Sequence, residues 1–329
     1  MKLSILDQSP ISAGKTAQAA LNASIELAKL ADALGYTRYW AAEHHDMPGL
    51  ASPAPDMMLA MIGQQTKNIR IGSGAVLLPH YKAFNIAERY NILASLFPNR
   101  VDLGIGRAPG GSAEVTMALS DNFLENVRKM PDKLTELQTF LNGDFPKDHM
   151  YAKIAPSPVP AVLPDLWLLG TSEKSAILAA EKGVSYAFGH FMTSNDGPSI
   201  VEKYRNSYAG ENPKVLIAAS VICAETTAEA EQLALSGQLW NVQQAKEEAK
   251  GVPTIDEAKA YSFTDEEREQ MKSMRKQTII GNPADCKQQL EELQAAYQAD
   301  ELMIVTITHS YEARRKSYQL LAKEFGLEK

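Results

Sequence analysis

Short apolar runs alternate with amphipathic stretches of helical length along almost the whole chain. Eight runs have the length and composition of buried strands, and they cover residues 3–6, 39–42, 69–77, 100–105, 166–169, 186–188, 215–222 and 302–307. Neighbouring parallel strands need a long crossover between them, which is usually a helix. The alternation is therefore typical of βα units built around a parallel sheet.

The stretches between these runs have the spacing of helices that cover a sheet from outside. In residues 16–34, apolar side chains such as Ala23, Leu27 and Leu30 recur every three or four positions until Gly35 ends the helix. The same spacing predicts helices over residues 83–96, 123–141, 173–182, 228–240, 283–297 and 311–325. Eight strands separated by helices fit a closed α/β architecture, so we predict a single (β/α)8 TIM barrel.

Two segments interrupt the alternation and predict insertions after strands 4 and 7. Residues 143–164 contain five prolines, which forbid a regular helix and indicate an extended excursion. An interdomain linker is the alternative, but the βα pattern resumes at Leu166, so we predict one domain over residues 1–329. Residues 246–276 are charged and weakly periodic, which fits either an active-site lid or a solvated surface insertion.

Charge and hydropathy exclude several kinds of partner. The net charge is −7 and no face of clustered Lys and Arg is apparent, which argues against nucleic acid. No stretch approaches the roughly 18 apolar residues of a membrane span, and the first residues lack a signal-peptide core, so we expect a cytoplasmic protein. Cys223 and Cys286 are far apart in the sequence and are predicted to be buried apolar side chains, without a disulfide framework.

The active site of a βα barrel lies at the carboxyl ends of its strands. The residues at or next to those positions therefore include the candidate site residues. They are Gln8, Glu43, His44, His45, Ser73, Gly74, Ala75, Arg107, Gly170, Thr171, Ser172 and His190.

Two imidazoles and two carboxylates follow one strand end in the sequence Glu43-His44-His45-Asp46. Metal binding is one interpretation, but adjacent histidines on an extended backbone point to opposite faces, and no H-x-x-x-H pair is present. A structural histidine pair is a second. A role in acid/base catalysis or in electrostatic stabilisation is favoured, because titratable groups cluster at functional strand ends.

Two glycine-containing turns could approach a ligand. The loop at residues 104–111 lacks both the G-x-G-x-x-G fingerprint and the Lys-Ser/Thr of a phosphate loop, so it fits either a backbone that contacts a flat ligand, with Arg107 supplying charge, or a purely structural turn. Gly170, Thr171 and Ser172 precede a helix that begins at Glu173. They could bind an anion at its N-terminus or simply cap it.

Together these pieces resemble the luciferase-like flavin monooxygenases over nearly the whole chain. The matching motifs are LGY at residues 34–36 with Trp40, EHH at 43–45, IGSGAVLLPH at 71–80, AER at 87–89 with Leu93, NRVDLGIGR at 99–107, LWLLGTS at 166–172 and GNPA at 281–284. After Arg107 the sequence APGG departs from the luciferases, which places the chain nearer the uncharacterised, non-luminescent branch.

The resemblance implies reduced FMN across the barrel mouth, with its phosphate near Gly170, Thr171 and Ser172 and its ring against Ser73, Gly74 and Ala75. It implies that Arg107 approaches the flavin or its phosphate, and that the Gly74–Ala75 peptide bond is cis. His44 would be the catalytic residue. Gln8, Glu43, His45 and His190 are expected around the substrate, with His45 as the structural neighbour of His44.

The chemistry implied is a monooxygenation of a small organic substrate. Reduced flavin reacts with O2 to give a C4a-hydroperoxide, one oxygen enters the substrate and the other leaves as water. No nicotinamide fingerprint is present, so reduced flavin is expected from a separate reductase. A deazaflavin-dependent hydride transfer is the alternative of the same fold, and a flavin-binding protein without catalysis is the alternative of a different class. The motifs do not identify the substrate.

Two further expectations concern the surface. The helix around residues 55–64 is apolar around much of its circumference, which predicts a homodimer. Residues 246–276 are expected to form a mobile lid over the flavin, as the resemblance places a flexible segment after the seventh strand.

Overall fold

In the part of the chain that the structure describes, ten parallel strands form one sheet, and eight of them close into a barrel. The computed structural model describes residues 1–327. Its strands are β1 Leu3–Asp7, β2 Arg38–Ala41, β3 Arg70–Ser73, β4 Val76–Leu77, β5 Val101–Gly106, β6 Asp165–Gly170, β7 Ser185–Gly189, β8 Val215–Cys223, β9 Thr278–Gly281 and β10 Glu301–Val305. The barrel order is β10-β1-β2-β3-β5-β6-β7-β8, closed by pairing of β8 with β10. The predicted (β/α)8 TIM barrel is confirmed.

Helices connect the strands around the outside of the barrel. They are α1 Ala17–Leu34, α2 Pro55–Gln65, α3 Ala83–Leu96, α4 Ala113–Leu119, α5 Phe123–Arg128, α6 Met130–Asn142, α7 Glu173–Glu181, α8 Gly197–Ser207, α9 Thr227–Ala245, α10 Ile255–Ala260, α11 Asp265–Arg275, α12 Pro283–Tyr297 and α13 Tyr311–Glu324. None of the described helices is long and apolar enough to cross a membrane.

Local chemistry explains where the first helix begins and ends. The side chain of Thr16 accepts a hydrogen bond from the Ala19 amide, which satisfies one free N–H of the first turn of α1. Gly35 ends the helix with φ at 83°, in the left-handed region that glycine adopts without a Cβ penalty. Ala20, Leu27 and Ala31 are buried on the face toward the sheet.

Two sequence predictions about elements need correction. The run at residues 69–77 is two strands, β3 and β4, because the chain turns at Gly74 and Ala75, where the peptide bond is cis as predicted. The predicted helix at residues 123–141 is two helices, since Pro131 has no N–H for a continuous ladder and stands in the first turn of α6. The short strand β9, which pairs with β8 outside the barrel, was not predicted, and neither were the helices α4 and α8.

The two predicted insertions have different structures. The proline-rich excursion has no helix or strand between α6 and β6 in the described chain. Residues 246–276, in contrast, contain the helices α10 and α11, each opened by a capping box at Thr254 and Thr264. Val252 of this segment is buried and its backbone pairs with Ile11 and Ala13, so the first part of the segment is packed against the barrel and is not a solvated insertion.

The barrel interior is packed with side chains, and a group of charged residues lies at its lower end. Trp40 and Trp167 meet edge to face with ring centroids 5.5 Å apart inside the barrel cluster. Below them, at the amino ends of the strands, Asp102 accepts hydrogen bonds from Arg38, Arg70 and the Trp40 indole. Burial alone would lower the pKa of Arg38, but Asp102 and Glu301 raise it above its usual value, so this guanidinium stays charged.

Both cysteines lie outside the barrel mouth. Cys223 and Cys286 are buried between β8 and α12 and are free thiols, which confirms their prediction as buried apolar side chains.

Candidate active site

A cavity of about 350 Å³ lies at the carboxyl ends of the strands, where a βα barrel carries its active site. Gln8 after β1 and His44 after β2 contribute to one side of its wall, and Phe191 after β7 contributes to another. The helix α9 and the segment around Met274 provide the rest. Of the twelve sequence-predicted site residues, the structure therefore brings Gln8 and His44 together in this cavity.

The imidazole of His44 lies partly buried in the cavity wall. Its Nδ1 atom is buried and has no hydrogen-bond partner within the described residues. Burial, with a smaller contribution from the neighbouring His45, lowers the pKa of His44 to about 4. The imidazole is therefore neutral at neutral pH, with one ring nitrogen able to donate and the other able to accept a hydrogen bond. A buried nitrogen without a partner costs stability unless a ligand supplies one.

Glu43 and His45 form a support behind this wall. The Glu43 carboxylate lies 2.8 Å from His45 Nε2, and it accepts hydrogen bonds from the Tyr81 hydroxyl at 2.8 Å and the Leu77 amide at 3.1 Å. The His45 amide donates to the Gly110 carbonyl at 2.7 Å, which holds the glycine loop against the end of β2. Neither residue lines the cavity, so they position β4 and the loop at residues 107–111.

The turn between β3 and β4 brings backbone close to the barrel mouth. Ser73 is fully buried, and its hydroxyl donates to the Gly104 carbonyl at 3.0 Å on the neighbouring strand β5. A Cβ at Gly104 would overlap the Ser73 carbonyl oxygen, so only glycine fits beside this turn. Gly74 and Ala75 follow with the cis peptide, and Ala75 is almost fully buried.

A cation and a helix N-terminus meet on the other side of the mouth. Arg107, after β5, is exposed and donates a hydrogen bond to the Ser172 hydroxyl at 3.3 Å. Ser172 is also the N-cap of α7, and its side chain accepts from the Ser175 amide. The guanidinium thus lies beside the partial positive charge of the helix, an arrangement that an anion stabilises. N-capping and anion binding, the two alternatives for this turn, are compatible here.

The remaining candidate residues surround these features. Gly170 leaves room for the capping side chain of Ser175, which a Cβ at this position would overlap. The Thr171 carbonyl accepts a hydrogen bond from Asn195 at 2.9 Å. His190 lies in a short 3-10 turn after β7 with its Nδ1 2.9 Å from the Tyr297 hydroxyl, and its neighbours Phe191 and Met192, rather than His190 itself, line the cavity.

Several cavity residues were not predicted from the sequence. Gln238, Asn241 and Gln244 of α9 line the wall, together with Arg275 and Gln277. The three α9 amides recur every third residue, a helical spacing that could have been recognised as a polar stripe. The position of Arg275 had no comparable signal, because it depends on how α11 folds back over the barrel.

Known sequences match this chain over almost its whole length. The family model for luciferase-like monooxygenases matches residues 1–299. The uncharacterized protein YceB of Bacillus subtilis is 43% identical, with 98% of this chain and 99% of that protein covered. The N-acetyl-S-alkylcysteine monooxygenase of Bacillus subtilis is 34% identical, with 98% and 97% covered.

Solved structures show the same architecture. Apo-MsnO8 superimposes with a TM-score of 0.89 at 34% identity, covering 99% of this chain and 98% of its own. The oxygenating constituent of 3,6-diketocamphane monooxygenase from Pseudomonas putida, a type II Baeyer–Villiger monooxygenase in complex with FMN, gives a TM-score of 0.72 at 19% identity, with 98% and 97% covered. The second similarity is one of fold.

Proposed function

Because this chain belongs to the luciferase-like monooxygenase family, we propose that it is a flavin-dependent monooxygenase that uses reduced FMN and O2 to oxygenate a small organic substrate. The observation that carries the proposal is the unpartnered, buried Nδ1 of His44 in the wall of the cavity. One relative is named as a monooxygenase, and one structural neighbour of the same fold was solved with FMN, which supports the proposal.

The residues present fit FMN. Arg107 and Ser172, 3.3 Å apart at the N-terminus of α7, have the donor groups that a phosphate requires. Thr171 and Gly170 would complete this end of the site. Ser73, Gly74 and Ala75 would lie against the ring system, where backbone without bulky side chains allows a flat ligand to approach.

Bound in its reduced form, FMN would supply the electrons that activate O2, so that one oxygen atom enters the substrate and the other leaves as water. His44 would hold a proton at one ring nitrogen and accept a hydrogen bond at the other, close to the reacting atoms. Glu43 and His45 would keep β4 in place through the Leu77 amide. The walls formed by α9 and the segment around Met274 would keep water out of the cavity.

The test is the incorporation of labelled oxygen. The purified protein receives chemically reduced FMN and ¹⁸O2 with a panel of small thioethers and ketones, and products are analysed by mass spectrometry. We expect one ¹⁸O atom in a product and saturable FMN binding in native mass spectra. Turnover that is independent of O2 and requires a deazaflavin would contradict the proposal in favour of hydride transfer, and FMN binding without any product would favour a non-catalytic flavin protein.

We also propose that a separate reductase supplies the reduced flavin, because the chain has no G-x-G-x-x-G turn for a nicotinamide dinucleotide. Addition of a purified NADH-dependent flavin reductase should replace chemical reduction. NADH oxidation by this chain alone would contradict this part of the proposal.

The apolar surface of α2 supports the proposed homodimer. Met57 and Met61 are 71% and 54% exposed on the face away from the barrel, and Ile92 and Leu96 of α3 are also exposed. A Met57→Glu/Met61→Glu double variant is expected to weaken self-association by about 30-fold or more, since it places two charges in a buried apolar contact. Sedimentation equilibrium measures this. Met150→Glu, at an exposed methionine of the proline-rich excursion, is the matched control. A wild-type protein that is monomeric at micromolar concentration would contradict the prediction.

The proposed lid comprises residues 246–276, whose last part contributes Met274 and Arg275 to the cavity wall. Saturating FMN is expected to slow tryptic cleavage at Arg268 and Lys272 several-fold, because a ligand that binds only the closed state lowers the population of open states. Limited proteolysis with and without FMN measures the rates. Cleavage that is equally fast in both conditions would identify the segment as a surface insertion.

A further inference from the structure

The wall of the cavity has an apolar part and a polar part. Met47, Leu50, Phe191, Val305 and Ile307 belong to the apolar part. The polar part comes from α9 and from the segment that joins α11 to β9. A cavity of about 350 Å³ lies at the lower end of the range for small-molecule sites, so the substrate must be compact.

The polar part is rich in amides and contains a single cation. Gln238, Asn241 and Gln244 provide N–H2 donors and carbonyl acceptors along one stripe of α9. Arg275 is the one permanently charged side chain, and no Asp or Glu occurs, among the described residues of this wall. Glu231, the ion-pair partner of Arg275, does not line the cavity, so the guanidinium is the charged group that this wall presents to a ligand.

Arg275 retains donors for a ligand. Its guanidinium donates to the Thr278 carbonyl at 3.0 Å and to Glu231 at 2.6 Å, and five N–H groups are available in all. The side chains of Arg275 and Glu231 are 38% and 42% exposed. An ion pair with this degree of exposure contributes little free energy, so Arg275 can turn toward a ligand carboxylate at small cost.

We propose that the substrate is a compact carboxylic acid with an uncharged, apolar side chain, whose carboxylate is bound by Arg275 and the α9 amides. The apolar end would lie toward His44, Met47 and Leu50. A free amino group would meet a cation and find no carboxylate in this wall, so an acylated amino acid fits better than the free one. This inference rests on the proposed function, because it names the substrate class of that same site.

Binding is tested directly by calorimetry, without turnover. The probes are N-acetyl-S-methyl-L-cysteine, its methyl ester and S-methyl-L-cysteine, titrated into the protein alone and again with oxidised FMN. We expect the N-acetyl acid to bind about 10- to 100-fold more tightly than the ester, the range given by charge-assisted hydrogen bonds from Arg. The free amino acid should bind more weakly than its acetylated form.

Two variants test whether Arg275 causes the preference for the acid over its ester. Arg275→Gln is expected to lower the affinity for the acid to that of the ester and to leave the ester unchanged, whereas Arg275→Lys should keep part of the preference, since Lys preserves the charge but not the planar fork. Lys272→Gln is the matched control, because Lys272 is an exposed cation on the same helix that does not line the cavity. Thermal denaturation of each variant verifies its fold.

The possible outcomes separate this inference from the proposed function. Equal binding of acid and ester, no saturable binding of the acid, or an Arg275→Gln variant with the wild-type preference would overturn the inference. Oxygenation of esters as readily as acids would overturn it too, while the monooxygenase proposal stands. Arg275-dependent binding of the acid without incorporation of ¹⁸O would instead support the inference and contradict the proposed function.

Discussion

His44→Ala is expected to leave the barrel folded and to lower the rate of substrate oxygenation by about 100- to 10,000-fold, the range for loss of one positioned acid/base group. O2 consumption should continue, with hydrogen peroxide as its product, because FMN would still be held near Arg107 and Ser172. The physical reason is the position of His44 in the cavity wall as a neutral imidazole with an unpartnered Nδ1. Product yield and peroxide release per O2 consumed, measured on the same preparation, give the coupling.

His190→Ala is the matched control for this variant. His190 also follows a barrel strand and is half-buried, but its Nδ1 lies beside the Tyr297 hydroxyl and its side chain does not line the cavity. Its loss is expected to change coupling only slightly. If His44→Ala retained wild-type coupling, or if its main effect were a loss of folded protein or of FMN affinity, the catalytic assignment of His44 would be wrong.

The fold was predictable because the spacing of apolar residues and the length of the segments between strands can be read locally from the sequence. Helices α3 and α12 have the bounds that their apolar spacing predicts, at Ala83–Leu96 and Pro283–Tyr297. The strand at residues 69–77 could not be divided from its composition, since an unbroken apolar run does not show where the backbone turns. Residues 246–276 looked irregular because α10 and α11 are short and highly charged. Their capping boxes at Thr254 and Thr264 could have indicated the two helix starts.

The candidate site was predictable only where it follows strand ends. That rule identifies Gln8, His44 and Arg107, which the structure brings to the barrel mouth. It does not separate His44, which lines the cavity, from Glu43 and His45, which pair with each other behind it. That distinction depends on the direction of each side chain and on Tyr81, whose place beside Glu43 is a tertiary contact.

Asp102→Ala is expected to destabilise the protein by about 3 to 5 kcal/mol, the cost of breaking a buried ion pair by removing one partner. Asp102 is fully buried at the lower end of the barrel, where Arg38 donates to its carboxylate at 2.9 Å and the Trp40 indole at 2.9 Å. Glu301 would remain as a partner for Arg38, but the Trp40 N–H and part of the guanidinium would lose their acceptor. Urea denaturation followed by circular dichroism measures the change.

Asp165→Ala provides the control. Asp165 and Asp102 both form an ion pair with Arg70, in the case of Asp165 at 2.8 Å, but the Asp165 side chain is 48% exposed. Its loss should cost less than about 1 kcal/mol, since water replaces the interaction. FMN affinity of the folded fraction should be unchanged in both variants, because Asp102 lies near the start of β5 and Arg107 follows its other end. Equal destabilisation by the two substitutions would show that burial does not determine the contribution of this network. A large loss of FMN affinity in folded Asp102→Ala protein would instead show that the lower end of the barrel controls the geometry of the mouth.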